Sequence, residues 1–304
     1  MPEADHPELP VPEATPALPP GEGTGCPPNL EWQQIVQRFR AEAEPWYLDR
    51  PGGYRLTGRM WGSGPPLYFV CGMGGTHDLF ALTAWLLRDS FRCVLYDYPG
   101  SLSGTIPRNV SCETYAQDLL AIAERCGDEQ FDLFATSFGS LVTLKAMNLS
   151  SKPRRAAIQG GFARRQLAWT ERSLIRMISK FPGRLGHIPL RKLIQAHNHR
   201  RWFPSFDKTR WQFLLDNSGQ VRVAAQSQRA GIIRDTDLRP ILPSISQDIL
   251  LIHTEHEGLV PDECLDELAS GLPHAKVERM LNSGHLPYLT HPHRIAKLIR
   301  EFLV

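Results

Sequence analysis

Cysteine is sparse: six in 304 residues, at positions 26, 71, 93, 112, 126 and 264, with no C-x-x-C pair. Such scatter excludes a disulfide framework and suits a reducing compartment, so a cytoplasmic setting is expected. Long apolar runs are also missing. None reaches the roughly 18 residues that a membrane-spanning helix needs. The N-terminus lacks the basic and apolar regions of a secretory signal, so none is expected. His197 and His199, like His291 and His293, have no Cys or carboxylate at ligand spacing and read as surface residues; no metal is expected. Gly72-Met73-Gly74-Gly75 lacks the G-x-G-x-x-G spacing of a dinucleotide site, so no cofactor is expected either. There is no internal repeat and no recognised nucleic-acid-binding module.

What is present is the composition of a globular protein, 42% hydrophobic and 22% charged, in a length that suits one large domain or one domain with an insertion. The net charge of +2 hides an uneven spread. Lys152–Arg239 holds 19 Lys and Arg against 5 Asp and Glu, a surplus of +14, and the remainder carries −12. Residues 1–28 hold nine prolines, five acidic residues and no Lys or Arg, the pattern of a disordered acidic tail.

From residue 29 the hydrophobic pattern alternates. A helix is expected over Leu30–Glu44, a turn at Pro51-Gly52-Gly53 and an antiparallel entry strand over Tyr54–Met60. Strands follow at Leu67–Cys71, Cys93–Tyr96, Phe131–Ala135 and Arg155–Gln159. Helices at His77–Arg88, Ser111–Arg125 and Phe138–Met147 separate them, the second with Ser111 as N-cap. The alternation breaks over 160–243, a helical stretch rich in Arg, Trp and His. It resumes over 244–304 with strands at Asp248–His253 and Lys276–Met280 and helices at Pro261–Ser270 and Pro292–Leu303. The expected fold is α/β, a mainly parallel sheet covered by helices on both faces, with binding at the carboxyl ends of the strands.

Phe131–Leu141 is the centre of the pattern. An apolar strand runs into Ala135-Thr136-Ser137-Phe138-Gly139 and at once into a helix. The small residues permit a sharp turn that presents Ser137 over a helix N-terminus, where developing negative charge is favoured. A serine hydroxyl needs a base. His285, in Asn282-Ser283-Gly284-His285-Leu286-Pro287 after the last strand, is the candidate. The acidic loop His253-Thr254-Glu255-His256-Glu257-Gly258-Leu259-Val260-Pro261 lies between the two.

The Gly-rich turn, the serine turn, the acidic loop and the terminal histidine occur in one order, and from about Tyr54 the chain resembles the α/β-hydrolase superfamily. The resemblance implies a Ser–acid–His triad of Ser137, Glu257 and His285, with 160–243 as a helical cap between core segments 29–159 and 244–304. Glu257 matches the acid ahead of Leu259-Val260-Pro261, where Asp is usual, and Glu255 is the nearby alternative. Backbone amides of Met73 and Phe138 would form the oxyanion hole. The implied activity is cleavage of an ester, thioester or amide of a small or lipid-like acyl group. Gly75–Phe80, Tyr98-Pro99 and Pro287–Leu289 also look like maspardin-type members, regarded as adaptors, which leaves a non-catalytic binding protein as the alternative. The paired arginines and interleaved Trp of Lys152–Arg239 read either as a solvated helical face or as a surface for an anionic substrate or membrane. No nucleic-acid partner is expected.

Overall fold

A computed structural model describes residues 31–205, 207–255 and 258–304. The tail expected over 1–28 lies outside the described residues, as does Glu257. Eight strands form one sheet: β1 (Glu44–Arg50), β2 (Tyr54–Trp61), β3 (Pro66–Val70), β4 (Arg92–Asp97), β5 (Phe131–Thr136), β6 (Pro153–Gln159), β7 (Asp248–Thr254) and β8 (Ala275–Met280). Their order across the sheet is β1-β2-β4-β3-β5-β6-β7-β8. Both pairings of β2 are antiparallel and all the others are parallel. Flanking it are α1 (Trp32–Glu42), α2 (Ala81–Leu87), α3 (Cys112–Cys126) and α4 (Gly139–Leu149). Four helices, α5 (Trp169–Ile178), α6 (Arg191–His199), α7 (Lys208–Gly219) and α8 (Val223–Asp235), follow one another between β6 and β7 as a helical cap insertion. The chain closes with α9 (Asp262–Gly271), α10 (Pro287–Thr290) and α11 (Pro292–Leu303).

The central strands are mostly apolar because both faces of a parallel sheet are covered, although β5 also buries Asp132. Every residue of β5 is buried, as are Leu67 to Val70 of β3. Ser111 caps α3, its hydroxyl accepting the Thr114 N–H at 3.3 Å, and Gly127 ends the helix in the left-handed conformation. Ile295, Ile299 and Leu303, spaced by four, are the buried stripe of α11.

Three elements depart from expectation. β1 was not anticipated, and α1 stops at Glu42, two residues early. Pro45 explains both, because a residue before proline is pushed out of the helical region towards the extended one. The expected helix over His77–Arg88 splits into a 3₁₀ turn, His77–Phe80, and α2. There the backbone N–H of His77 donates to Asp97 Oδ1 at 2.8 Å, and the ring Nδ1 lies 2.8 Å from Oδ2. Burial works against a charged imidazole, but Asp97, with Asp78 behind it, outweighs that and raises the His77 pKa. This pair pins the end of the loop that follows β3 to the end of β4.

Candidate active site

The geometry begins with Ser137, at φ 50, in a left-handed region that a residue with a side chain seldom occupies. Three contacts hold it there. Its N–H donates to the Gln159 carbonyl at 2.9 Å, tying the turn to β6, and its own carbonyl accepts the Ser140 N–H at 2.8 Å. Ser140 Oγ donates to the Phe162 carbonyl and accepts the Phe162 N–H, each at 2.9 Å, which fastens α4 to the loop after β6. Gly139 lets α4 sit close on β3, since a Cβ there would stand 2.4 Å from the Val70 carbonyl oxygen. Phe138 is fully buried, edge-on to Tyr98 at 5.4 Å and to Tyr115 at 5.9 Å.

Opposite lies the turn after β3. Gly75 N–H donates to the Gly72 carbonyl at 3.1 Å, and Tyr98 Oη donates to the Cys71 carbonyl at 2.8 Å. Behind Tyr98 is Arg229 of α8, 0% exposed, a guanidinium in the deep interior. Nη1 donates to Ser101 Oγ at 2.9 Å and the group lies 5.4 Å from the Tyr98 ring centre. Its Nε and Nη2 have no hydrogen-bond partner among the described residues. Burial lowers its pKa, with Tyr115 and Tyr98 opposing.

His285 sits on the loop after β8. Asn282 and Gly284 both have positive φ, and Ser283 Oγ donates to the Met280 carbonyl at 3.0 Å. Glu255 Oε2 accepts the Asn282 N–H at 3.1 Å, and its own N–H donates to the Met280 carbonyl at 2.9 Å. The cap shapes this loop too. A Cβ on Gly284 would fall 2.2 Å from Trp202 Cδ1, and His199 at the end of α6 stacks on His285 with ring centres 6.1 Å apart. Both histidines are buried. His199 is therefore not the surface residue its sequence context suggests.

Ser137, His285 and Met73 line one cavity of about 160 Å³ with Gly72, Gly74, Leu79, Thr136 and Tyr288 from the core. The cap contributes Gln195, His199, Leu214, Ser218 and Gln226, none of which the sequence singled out for this site, His199 having read there as a surface group. A chain read without its cap packing offers no signal for them.

The basic surplus is dispersed. Arg154 and Arg155 stand on β6, not in the cap, and pair with the buried Asp132 at 2.6 and 3.4 Å. Arg191 is buried and donates to the Leu215 carbonyl at 3.2 Å and to Ser218 Oγ at 2.5 Å. Arg165 donates to the Leu259 carbonyl at 2.7 Å.

Comparison with known proteins agrees with this architecture. A pimeloyl-[acyl-carrier protein] methyl ester esterase of Vibrio atlanticus is 25% identical over 75% of this chain and 90% of that protein. The corresponding esterase of Aromatoleum aromaticum is 37% identical, but the match spans 29% of this chain and 35% of that protein. The fold is shared with a hydrolase from Pseudomonas aeruginosa PA01, with a TM-score of 0.75 at 17% identity, over 85% of this chain and 98% of that one. No helix among the described residues is long and apolar enough to cross a membrane. The alpha/beta hydrolase fold family matches residues 65–292, and this chain belongs to it.

Proposed function

We propose that the chain is a serine hydrolase that cleaves an ester, thioester or amide through an acyl-enzyme on Ser137. The carrying observation is that Ser137, in its left-handed strand-to-helix turn, and His285 line one cavity under the cap. In this reading Ser137 Oγ attacks the carbonyl carbon while His285 takes the hydroxyl proton. The carbonyl oxygen becomes an oxyanion facing the backbone N–H groups of Met73 and Phe138. As the C–O, C–S or C–N bond breaks, His285 returns that proton to the leaving group. A water, deprotonated by His285, then releases the acid and frees Ser137. The division into 29–159, 160–243 and 244–304 belongs to the same proposal.

Glu257 is proposed to orient His285 and to balance the imidazolium. Glu255, whose Oε2 accepts the Asn282 N–H of the histidine loop, is the nearby alternative. Labelling the purified protein with a fluorophosphonate and mapping the adduct should find Ser137. Glu257→Gln should lower kcat by about 10³ to 10⁴-fold. Glu255→Gln should cost far less in kcat and show mainly in the melting temperature. The reverse order of damage would exchange their roles. A protein that neither labels nor hydrolyses any ester would instead be a maspardin-like adaptor or binding protein on this fold.

A membrane-surface role for the cap draws on a second observation. Trp169, Met177, Phe181, Leu190 and Leu193 are exposed on or beside α5 and α6, among Arg172, Arg176, Lys180 and Lys192. Exposed apolar groups amid cations suit the headgroup region of anionic lipid. Co-sedimentation with phosphatidylglycerol vesicles should exceed that with phosphatidylcholine and fade from 50 mM to 500 mM salt. Equal, poor binding to both would leave these residues as a solvated face.

A further inference from the structure

Among the described residues lining the Ser137 cavity there is no Lys, Arg, Asp or Glu, although the cap above it carries the chain's basic surplus. The cap presents neutral polar groups instead: Gln195, Ser218 and Gln226, beside His199. Their states differ. Ser218 Oγ is committed internally, donating to the Leu214 carbonyl at 2.6 Å and accepting Arg191 Nη2 at 2.5 Å. Gln226 is not committed in this way. Its Oε1 is buried and has no hydrogen-bond partner among the described residues. Its amide lies over Gly74 in the turn beside Ser137, so that a Cβ on Gly74 would meet Oε1 at 3.5 Å and Nε2 at 3.6 Å. Native proteins rarely leave a buried amide oxygen unsatisfied, and in a side chain that lines a binding cavity a rotation of the amide would offer that oxygen to a ligand's donor.

Size and charge narrow the ligand further. The cavity of about 160 Å³ is close to the roughly 150 Å³ that holds one benzene-sized group, so only the first few carbons of an acyl chain lie within it. A carboxylate there would meet no Lys or Arg among the described lining residues, only the two histidines, which is unfavourable. We propose that Gln226 is a specificity-determining residue that reads a neutral hydroxyl or amide N–H on a short acyl group. The cavity thereby selects small polar acyl esters over both lipid-like and acidic ones. This rests on the hydrolase reading of Ser137. It assigns the basic residues of the cap no part in choosing the acyl group.

The test uses the full chain and three p-nitrophenyl esters: 3-hydroxybutyrate, its isostere 3-methylbutyrate, and decanoate. Each rate is divided by that of alkaline hydrolysis of the same ester, to remove intrinsic reactivity. The wild type should prefer the hydroxy ester over its isostere by at least about tenfold in kcat/KM, because a site built to pair a hydroxyl rejects an analogue without one. Decanoate should be at least about tenfold poorer again. Gln226→Leu should bring the hydroxy-to-methyl ratio within about twofold of unity, whatever its absolute rates. If that variant does not fold, Gln226→Asn, with the amide drawn back by one methylene, should lower the same ratio. A wild type that labels with fluorophosphonate but has a ratio near one, or a ratio untouched in the folded variant, overturns the role of Gln226 alone. Absence of labelling and of all three activities overturns the Ser137 reading, and the Gln226 proposal with it.

Discussion

Ser137→Ala is expected to lose on the order of 10⁴ to 10⁶ in kcat for any ester the wild type cleaves, and to take up no fluorophosphonate. The fold should survive. The backbone bonds of the turn involve the N–H and carbonyl of residue 137, not its side chain. Alanine inherits the unfavourable φ of 50, so no strain is relieved. Ser137→Gly gives a sharper reading. A left-handed residue with a Cβ costs ~1–3 kcal/mol, against ~0.5–1 kcal/mol for the added freedom of glycine in the unfolded chain. The glycine variant should therefore melt at or above the alanine variant, and neither should hydrolyse ester. Retention of wild-type turnover in either would remove Ser137 from the chemistry. A glycine variant that melts well below the alanine one would show that the turn is not strained.

Gly139→Ala should damage stability and activity together. The added methyl meets backbone on β3, 2.4 Å from the Val70 oxygen and 2.9 Å from the Cys71 oxygen, and a strand in mid-sheet has little room to move. Relief requires α4 to back away, carrying Phe138 and Ser137 with it. Overpacking of this kind costs about 1–3 kcal/mol or more, a melting-point drop of roughly 2–12 °C for a domain of this size. Ester turnover should fall at temperatures where the protein is still folded, because the turn is displaced before the sheet fails. Gly231→Ala is the control. Its added methyl would meet nothing within 4 Å, and Gly231 is a mid-helix position where alanine is favoured. Thermal melts of the two variants beside the wild type decide the matter; equal stability of Gly139→Ala and wild type would mean that α4 can back away from β3 without cost.

Much of the frame was legible because it is written in local pattern. The buried strands around Ser137 are largely apolar runs bounded by turns, and α11 shows its stripe at a spacing of four. What escaped was set by tertiary packing. Nothing in a run of Arg, Lys and His announces that Arg191 turns inward to a carbonyl and a serine, or that His199 stacks on a ring far along the chain. Charge counted along a sequence includes guanidiniums that the fold spends on binding its own loops, so Arg154 and Arg155 belong to the core's Asp132 and not to the cap. β1 was hidden for a different reason: the helical pattern before it and the turn after it overshadowed a short alternation that Pro45 alone marks as extended. Gln226 was one glutamine among many until α8 placed its amide above Gly74.

The indole of Trp202 lies against Gly284 and the ring of His199 against His285, so the cap moulds the loop that presents the histidine. Synthesis runs through the Ser137 turn first, then the cap, and reaches β8 and its loop last. For most of that time the strained serine stands beside no imidazole from residue 285. A chain halted or clipped before Gly284 would lack the proposed base together with α10 and α11, whose residues Leu289, Ile295 and Ile299 are part of the core. If the proposed pair is the reactive one, reactivity waits for the C-terminal segment of the chain.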